Sequence, residues 1–144
     1  MIIKAERKDL PEAAGLAVLL WESHSVSELE TLFENLLTNG KTAFFLKFLN
    51  DVPVGFAQCQ LRYDYVEGTS SAPVGYLEGL FVKEEYRKQG IGKELLDACE
   101  KWAKEKGCRE FASDCELENT GSFAFHLNVG FKEANKIICF VKKI

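Results

Sequence analysis

Histidine, proline, methionine and tryptophan are all scarce in this chain: two, three, one and two of 144 residues. Long apolar runs are missing as well. No stretch approaches the roughly 20 apolar residues that a membrane-spanning helix requires. The opening residues, Met1-Ile2-Ile3-Lys4-Ala5-Glu6-Arg7-Lys8-Asp9, lack the apolar segment and small-residue cleavage site of a secretory signal. With only His24 and His126, a multi-histidine metal site is impossible, and no metal is expected. The five cysteines, Cys59, Cys99, Cys108, Cys115 and Cys139, are odd in number and contain no C-x-x-C pair. They read as free thiols of a cytoplasmic protein. A basic excess is also missing, since the net charge is −4. Neither nucleic acid nor membrane is therefore an expected partner, whereas a cationic ligand fits.

What is present reads as a single α/β domain over residues 1–144. Residues 1–6 suit an edge strand. Asp9-Leu10-Pro11-Glu12 reads as a helix start with Asp9 as N-cap, followed by Leu10, Ala13, Ala14, Ala17, Leu20 and Trp21 on one face. Ser25-Val26-Ser27-Glu28 is a capping box for a second helix through Leu37, closed by Gly40. Thr42 to Leu49 then reads as a strand. From Ala57 the chain alternates, which predicts a long half-buried strand reaching Tyr65. Val74 to Val82 is nearly all apolar and predicts a central strand, broken by Glu78 and Gly79. Ile91, Leu95, Cys99 and Trp102 mark an amphipathic helix ending at Gly107. A strand over Glu110–Ser113, a helix near Ser122–Leu127 and two strands through Val141 complete the order β-αα-βββ-α-β-α-ββ.

The most informative segment is Arg87-Lys88-Gln89-Gly90-Ile91-Gly92-Lys93, between a buried strand and a long helix. Such a turn aims backbone N–H groups from the positive end of a helix dipole, which suits phosphate. The glycines let a ligand approach the backbone closely. No G-x-x-x-x-G-K-[ST] loop and no three-glycine dinucleotide fingerprint occurs. Glu78 is the second signal, because a carboxylate inside an apolar strand is costly without a partner. It reads either as a general base or as an anion satisfied by a strand bulge or a buried arginine. Asp114 closes a strand on the edge where α/β sheets bind ligands, or else caps a turn.

The run R-x-x-G-x-G after an apolar strand resembles the acetyl-CoA pyrophosphate loop of the GNAT superfamily of N-acetyltransferases. Asn119, Ser122, His126 and Gly130-Phe131 match the spacing of that superfamily's N-x-x-A-x-x-x-Y-x-x-x-G-F pattern. The resemblance implies a mixed central sheet with splayed parallel strands and about four helices, binding acetyl-CoA. Leu80, Phe81 and Val82 would pair with the pantetheine arm. The Leu80 N–H would face the thioester oxygen beside a bulge at Gly79. Residues Arg87, Lys88, Gln89, Gly90, Ile91, Gly92 and Lys93 would hold the pyrophosphate, with Asn119 reaching the cofactor from the other side. His126 stands where the superfamily has the tyrosine that protonates the departing thiolate. An imidazole can also donate a proton, or it can simply pack.

A wider similarity, to the aminoglycoside 6′-N-acetyltransferases, runs through Leu20-Trp21, Arg62 to Thr69, Pro73 to Gly79, Phe111 to Asp114, Glu118-Asn119, His126 and Phe140 to Lys143. It implies transfer of an acetyl group from acetyl-CoA to the 6′-amine of an aminoglycoside, giving antibiotic resistance. The amine would attack directly, with Cys115 only a packing residue. Glu78 would be the base. Asp114, Glu133 and Asn135 would lie near the drug, and Trp21 and Tyr65 would line its pocket or belong to the core. A homodimer through the C-terminal strands is also implied. A GNAT enzyme for a polyamine or a protein N-terminus, and a non-catalytic acetyl-CoA sensor, are the competing readings.

Overall fold

The strand Thr42–Leu49 (β2) is apolar at nearly every position, and its first six residues are buried whichever way they point. A strand of this kind needs cover on both faces. The computed structural model, which describes all 144 residues, supplies it. The sheet runs β1-β2-β3-β4-β5. Its other strands are β1 (Ile2–Lys4), β3 (Val52–Arg62), β4 (Val74–Val82) and β5 (Phe111–Ala112). The first four strands are antiparallel neighbours, and β5 joins β4 in parallel. Helices α1 (Leu10–Leu20) and α2 (Val26–Thr38) close one face over Phe44, Leu46 and Phe56. Helix α3 (Ile91–Glu105) closes the other over Ala43, Phe45, Val54, Ala57 and Cys59. Helix α4 (Thr120–Asn128) follows β5. No helix is long and apolar enough to cross a membrane.

Local signals account for most element ends. The Ser25 hydroxyl accepts from the Glu28 N–H at 3.1 Å, capping α2, and Gly40 at φ +70° follows its last turn. Asp9 stands at the N-cap position of α1 but does not cap it. Its carboxylate instead accepts from the Glu6 N–H at 2.8 Å and closes a short 3-10 turn over Arg7–Asp9. Lys47 is a cation in an otherwise apolar strand. Its ammonium lies 2.7 Å from Glu94 of α3, and that hydrogen bond raises its pKa. The pair ties α3 to β2.

Three further expectations need correction. The strand expected to reach Tyr65 ends at Arg62, and Tyr63 and Tyr65 stand exposed on the loop that follows. The reason is register: Arg62 pairs with Val74, the first residue of β4, so no neighbour extends the ladder. The strand over Glu110–Ser113 shrinks to Phe111–Ala112. The two C-terminal strands through Val141 do not form at all. Residues 132–136 fold against the 63–73 loop, where the Asn135 amide donates to Glu67 at 3.0 Å. Beyond them Ile137, Ile138, Phe140 and Val141 are 65%, 80%, 90% and 96% exposed.

Gly75 marks the tightest packing of β4 between α3 and β5. A Cβ there would lie 2.6 Å from the Ala103 Cβ and 2.5 Å from the Phe111 ring. The ring can turn, but Ala103 is fixed to its helix. Gly75→Ala should therefore destabilise the fold by about 1–3 kcal/mol. Urea unfolding measures this, and an unchanged midpoint would contradict the packing described.

Candidate active site

β4 and β5 are joined by only two residue pairs, Gly75 with Phe111 and Tyr76 with Ala112. Beyond them the strands part. β4 also bulges there: Gln58 pairs with Gly79 and Cys59 with Leu77, which leaves Glu78 as the extra residue. The bulge thus falls on Glu78, with Gly79 beside it. Leu80, Phe81 and Val82 pair with Ala57, Phe56 and Gly55 of β3 and have no strand on their other side. Trp21 closes the α1 side of the gap. A Cβ on Gly79 would lie 2.6 Å from its ring, and the ring meets Phe33 and Phe56 edge to face. Trp21 is therefore both core and site wall.

Glu78 has a partner that spacing could not identify. The Arg62 Nε and Nη2 donate to its Oε1 at 3.1 and 2.9 Å, and Nη2 also reaches Oε2 at 3.1 Å. The guanidinium carbon sits 3.4 Å from the centroid of the Tyr76 ring. The Tyr76 hydroxyl in turn donates to Asp114. Burial, reinforced by the Asp114 hydrogen bond, raises the Tyr76 pKa well above that of a free phenol, so the hydroxyl keeps its proton. Glu78, Arg62, Tyr76 and Asp114 form one continuous chain across the splay. The Asp114 carboxylate thus has its side-chain partner in Tyr76, and Glu78 is paired with a half-buried arginine.

His126 on α4 is held at both ring nitrogens. Nδ1 lies 2.7 Å from the Ser122 carbonyl and Nε2 2.8 Å from the Ser113 hydroxyl. A carbonyl only accepts, so Nδ1 carries a hydrogen, and Nε2 meets the Ser113 hydroxyl, which can donate or accept. Ser113, one residue beyond the last β4–β5 pair, went unnoticed in the sequence. Its neighbour Asp114 was the only signal there.

The loop before α3 has the expected form. Gly90 adopts φ +81° at the N-cap and Lys88 φ +62°, and no side chain caps the helix. Its first N–H groups are therefore available to an anion. Ile91 contributes only backbone, since its side chain is buried in the core. Arg87 donates through Nε to the Val82 carbonyl at 2.8 Å, and Gln89 is exposed. Lys93 is exposed and paired with Asp97 at 2.8 Å. Gly92 faces Phe125 and Leu80. Asn119 caps α4, accepting from the Ser122 N–H at 3.0 Å, so only its amide N–H groups remain free to donate. The loop and open edge therefore fit a diphosphate with an extended arm. Tyr65 stands on the exposed loop, 77% accessible, outside the core. Glu133 and Asn135 sit in the segment packed against that loop, with Glu133 paired to Lys136. Cys115 is exposed and packs nothing.

Residues 9–131 match the acetyltransferase (GNAT) family, and the chain belongs to it. Among its relatives, the aminoglycoside N(6′)-acetyltransferase type 1 of Salmonella typhimurium is 37% identical over 99% of this chain and 98% of its own length. The Serratia marcescens enzyme of the same name is 34% identical over 100% and 99%. The structure of AAC(6′)-Iy with the bisubstrate analog CoA-S-monomethyl-acetylneamine superposes with a TM-score of 0.96 at 36% identity, covering 100% of this chain and 98% of that one.

The held imidazole is directly observable. Nitrogen-15 spectra of the neutral His126 ring should show the Nδ1–H tautomer. Finding the Nε2–H tautomer would refute the Ser122–His126–Ser113 arrangement.

Proposed function

We propose that this protein transfers the acetyl group of acetyl-CoA to the 6′-amine of an aminoglycoside, acting as an antibiotic-resistance enzyme. The observation that carries the reading is the position of Glu78. It is a carboxylate at the bulge where the open strand edge begins, and the glycine turn suited to phosphate meets the other end of that edge at Val82. Acetyl-CoA supplies a thioester, an acyl group already activated for attack by an amine. The backbone of Leu80, Phe81 and Val82 holds the extended arm as an added strand. The N–H groups of the Arg87–Lys93 turn and the Asn119 amide bind the remainder.

Glu78 takes a proton from the 6′-ammonium, directly or through water, because the protonated amine has no lone pair for attack. The Leu80 N–H faces the thioester oxygen as charge develops there. His126 provides the proton that the sulfur needs. With Nδ1 committed to Ser122, delivery falls to Nε2 of the doubly protonated ring, next to the Ser113 hydroxyl, and leaves the Nδ1–H ring behind. Trp21 walls the amine side. Asp114, Glu133, Asn135 and Tyr65 are the proposed contacts for the other ammonium groups of the drug. A panel of aminoglycosides assayed by release of free CoA tests the reading. Drugs with a 6′-amine should turn over, and analogues with a 6′-hydroxyl should not. In the same assay Glu78→Gln should lower kcat by about 10²–10⁴-fold. Equal turnover of amine and hydroxyl analogues would sink the assignment.

We further propose a cytoplasmic homodimer. Five free thiols support the compartment. The C-terminal segment supports the assembly, since four apolar side chains stand free while the outer edge of β5 has no strand beside it. A second copy covers both. Light scattering should give a dimer for the full chain and a monomer after removal of residues 137–144. A monomeric full chain would overturn this reading.

A further inference from the structure

We infer that Ser113 is the last carrier of the proton that the departing thiolate takes: its hydroxyl hydrogen goes to the sulfur while its oxygen receives the Nε2 proton of the His126 imidazolium. The inference rests on the acetyl-transfer reading above and adds to it the residue through which that proton passes.

Strand alternation puts the serine there. Phe111 packs against the core beneath α3, and Ala112 against Val66, Val74 and Tyr76 on the other face. The alternation continues past the strand, since Ser113 meets His126 and Asp114 meets Tyr76. The two residues beyond the last β4–β5 pair thus serve opposite faces of the splay. Asp114 belongs to the side of Arg62 and Glu78, where the proposed base stands. Ser113 belongs to the α4 side, and α4 flanks the open strand edge. A Cβ on Gly92 would lie 2.9 Å from the Phe125 ring and 3.6 Å from the Leu80 side chain. The residue before His126 therefore stands beside the Leu80 stretch, where the thioester is proposed to lie.

His126 is held in its seat, and Ser113 is not. Nδ1 is bonded to the Ser122 carbonyl at 2.7 Å and Nε2 to the Ser113 hydroxyl at 2.8 Å. The ring also lies against Phe125 and Phe131, with ring centres 5.9 and 5.0 Å away. Turning the imidazole towards a ligand breaks both hydrogen bonds. Redirecting the serine hydrogen takes rotation about a single bond. A proton that leaves Nε2 meets the Ser113 oxygen first.

The step balances without a free alkoxide. In the charged ring both nitrogens donate, Nδ1 to the Ser122 carbonyl and Nε2 to the Ser113 Oγ. As the carbon–sulfur bond of the tetrahedral intermediate breaks, its electron pair stays on sulfur. The sulfur takes the Ser113 hydrogen and Oγ takes the Nε2 proton in the same motion. The products are the thiol, an intact serine and the neutral Nδ1–H ring. A proton from solvent recharges the ring before the next cycle.

The test measures the rate of acetyl transfer to kanamycin in a single turnover, with acetyl-CoA bound. It compares the wild type, Ser113→Ala, Ser113→Thr, His126→Gln and the double variant Ser113→Ala/His126→Gln. Thermal melts confirm that each is folded. Ser113→Ala should slow transfer about a hundredfold, with the Kd for acetyl-CoA changing by less than about threefold. Ser113→Thr keeps the hydroxyl and should recover most of the rate. His126→Gln should slow transfer to a similar degree as Ser113→Ala. The double variant should be no slower than the slower single one, because the two residues move one proton. A second readout separates carrying from positioning. Nitrogen-15 spectra of Ser113→Ala should still show the Nδ1–H ring, held by Ser122. A wild-type rate in either folded single variant, additive losses in the double variant, or an Nε2–H ring in Ser113→Ala would overturn the inference alone. Absence of transfer by the wild type to kanamycin or any other 6′-amine drug would overturn the aminoglycoside reading and the inference with it.

Discussion

Two residue pairs, Gly75 with Phe111 and Tyr76 with Ala112, are all that join β5 to β4. Backbone N–H and C=O groups must be paired or wetted. From Leu77 to Val82 one side of β4 is satisfied by β3, and the other faces the gap. That unmet demand suits an extended ligand. The gap exists because the bulge at Glu78 turns β4 just where the parallel ladder ends, and because Trp21 fills the space over Gly79. The helices, the loop before α3 and the histidine on α4 are all arranged around that opening.

Charge in the opening is organised as a relay of contacts. Two carboxylates, Glu78 and Asp114, are separated by one guanidinium and one phenol, each bonded to the next. No buried polar side-chain atom is left without a partner. Two carboxylates beside an apolar strand are thus kept paired, so that neither stands as a lone buried charge. The cost of storing negative charge near an apolar strand is offset by an arginine that the same strand pair delivers.

Much of this was legible in the sequence. The N-cap at Ser25, the apolar spacing of α3 and the glycine turn before it are local signals, and local structure obeyed them, although Glu28 does not complete the capping box. Glu78 stood out because a carboxylate in an apolar run demands an explanation. The family resemblance, not spacing, is what singled out Leu80–Val82, Asn119 and His126. What could not be read depends on register. Arg62 finds Glu78 sixteen residues away only because Gln60 pairs with Tyr76. Ser113 meets His126 only because β5 stops at Ala112. The alternation that pointed to a strand through Tyr65 was real, but a strand needs a neighbour, and β4 offers none beyond Val74. The same rule governs the C-terminal segment, whose apolar residues have no ladder within the chain.

The hydrogen bond from Arg87 to the Val82 carbonyl fastens the turn before α3 to the end of the open strand edge. The two stretches of backbone are thereby one rigid gauge. Its length is set by the protein before any ligand arrives. A donor whose acyl group and diphosphate are separated by the right span satisfies both ends at once, while a truncated thioester can occupy only one. On the proposed function, the fold therefore measures its acyl donor along its length, much as a caliper does, and leaves the choice of acceptor to the charges on the opposite side of the splay.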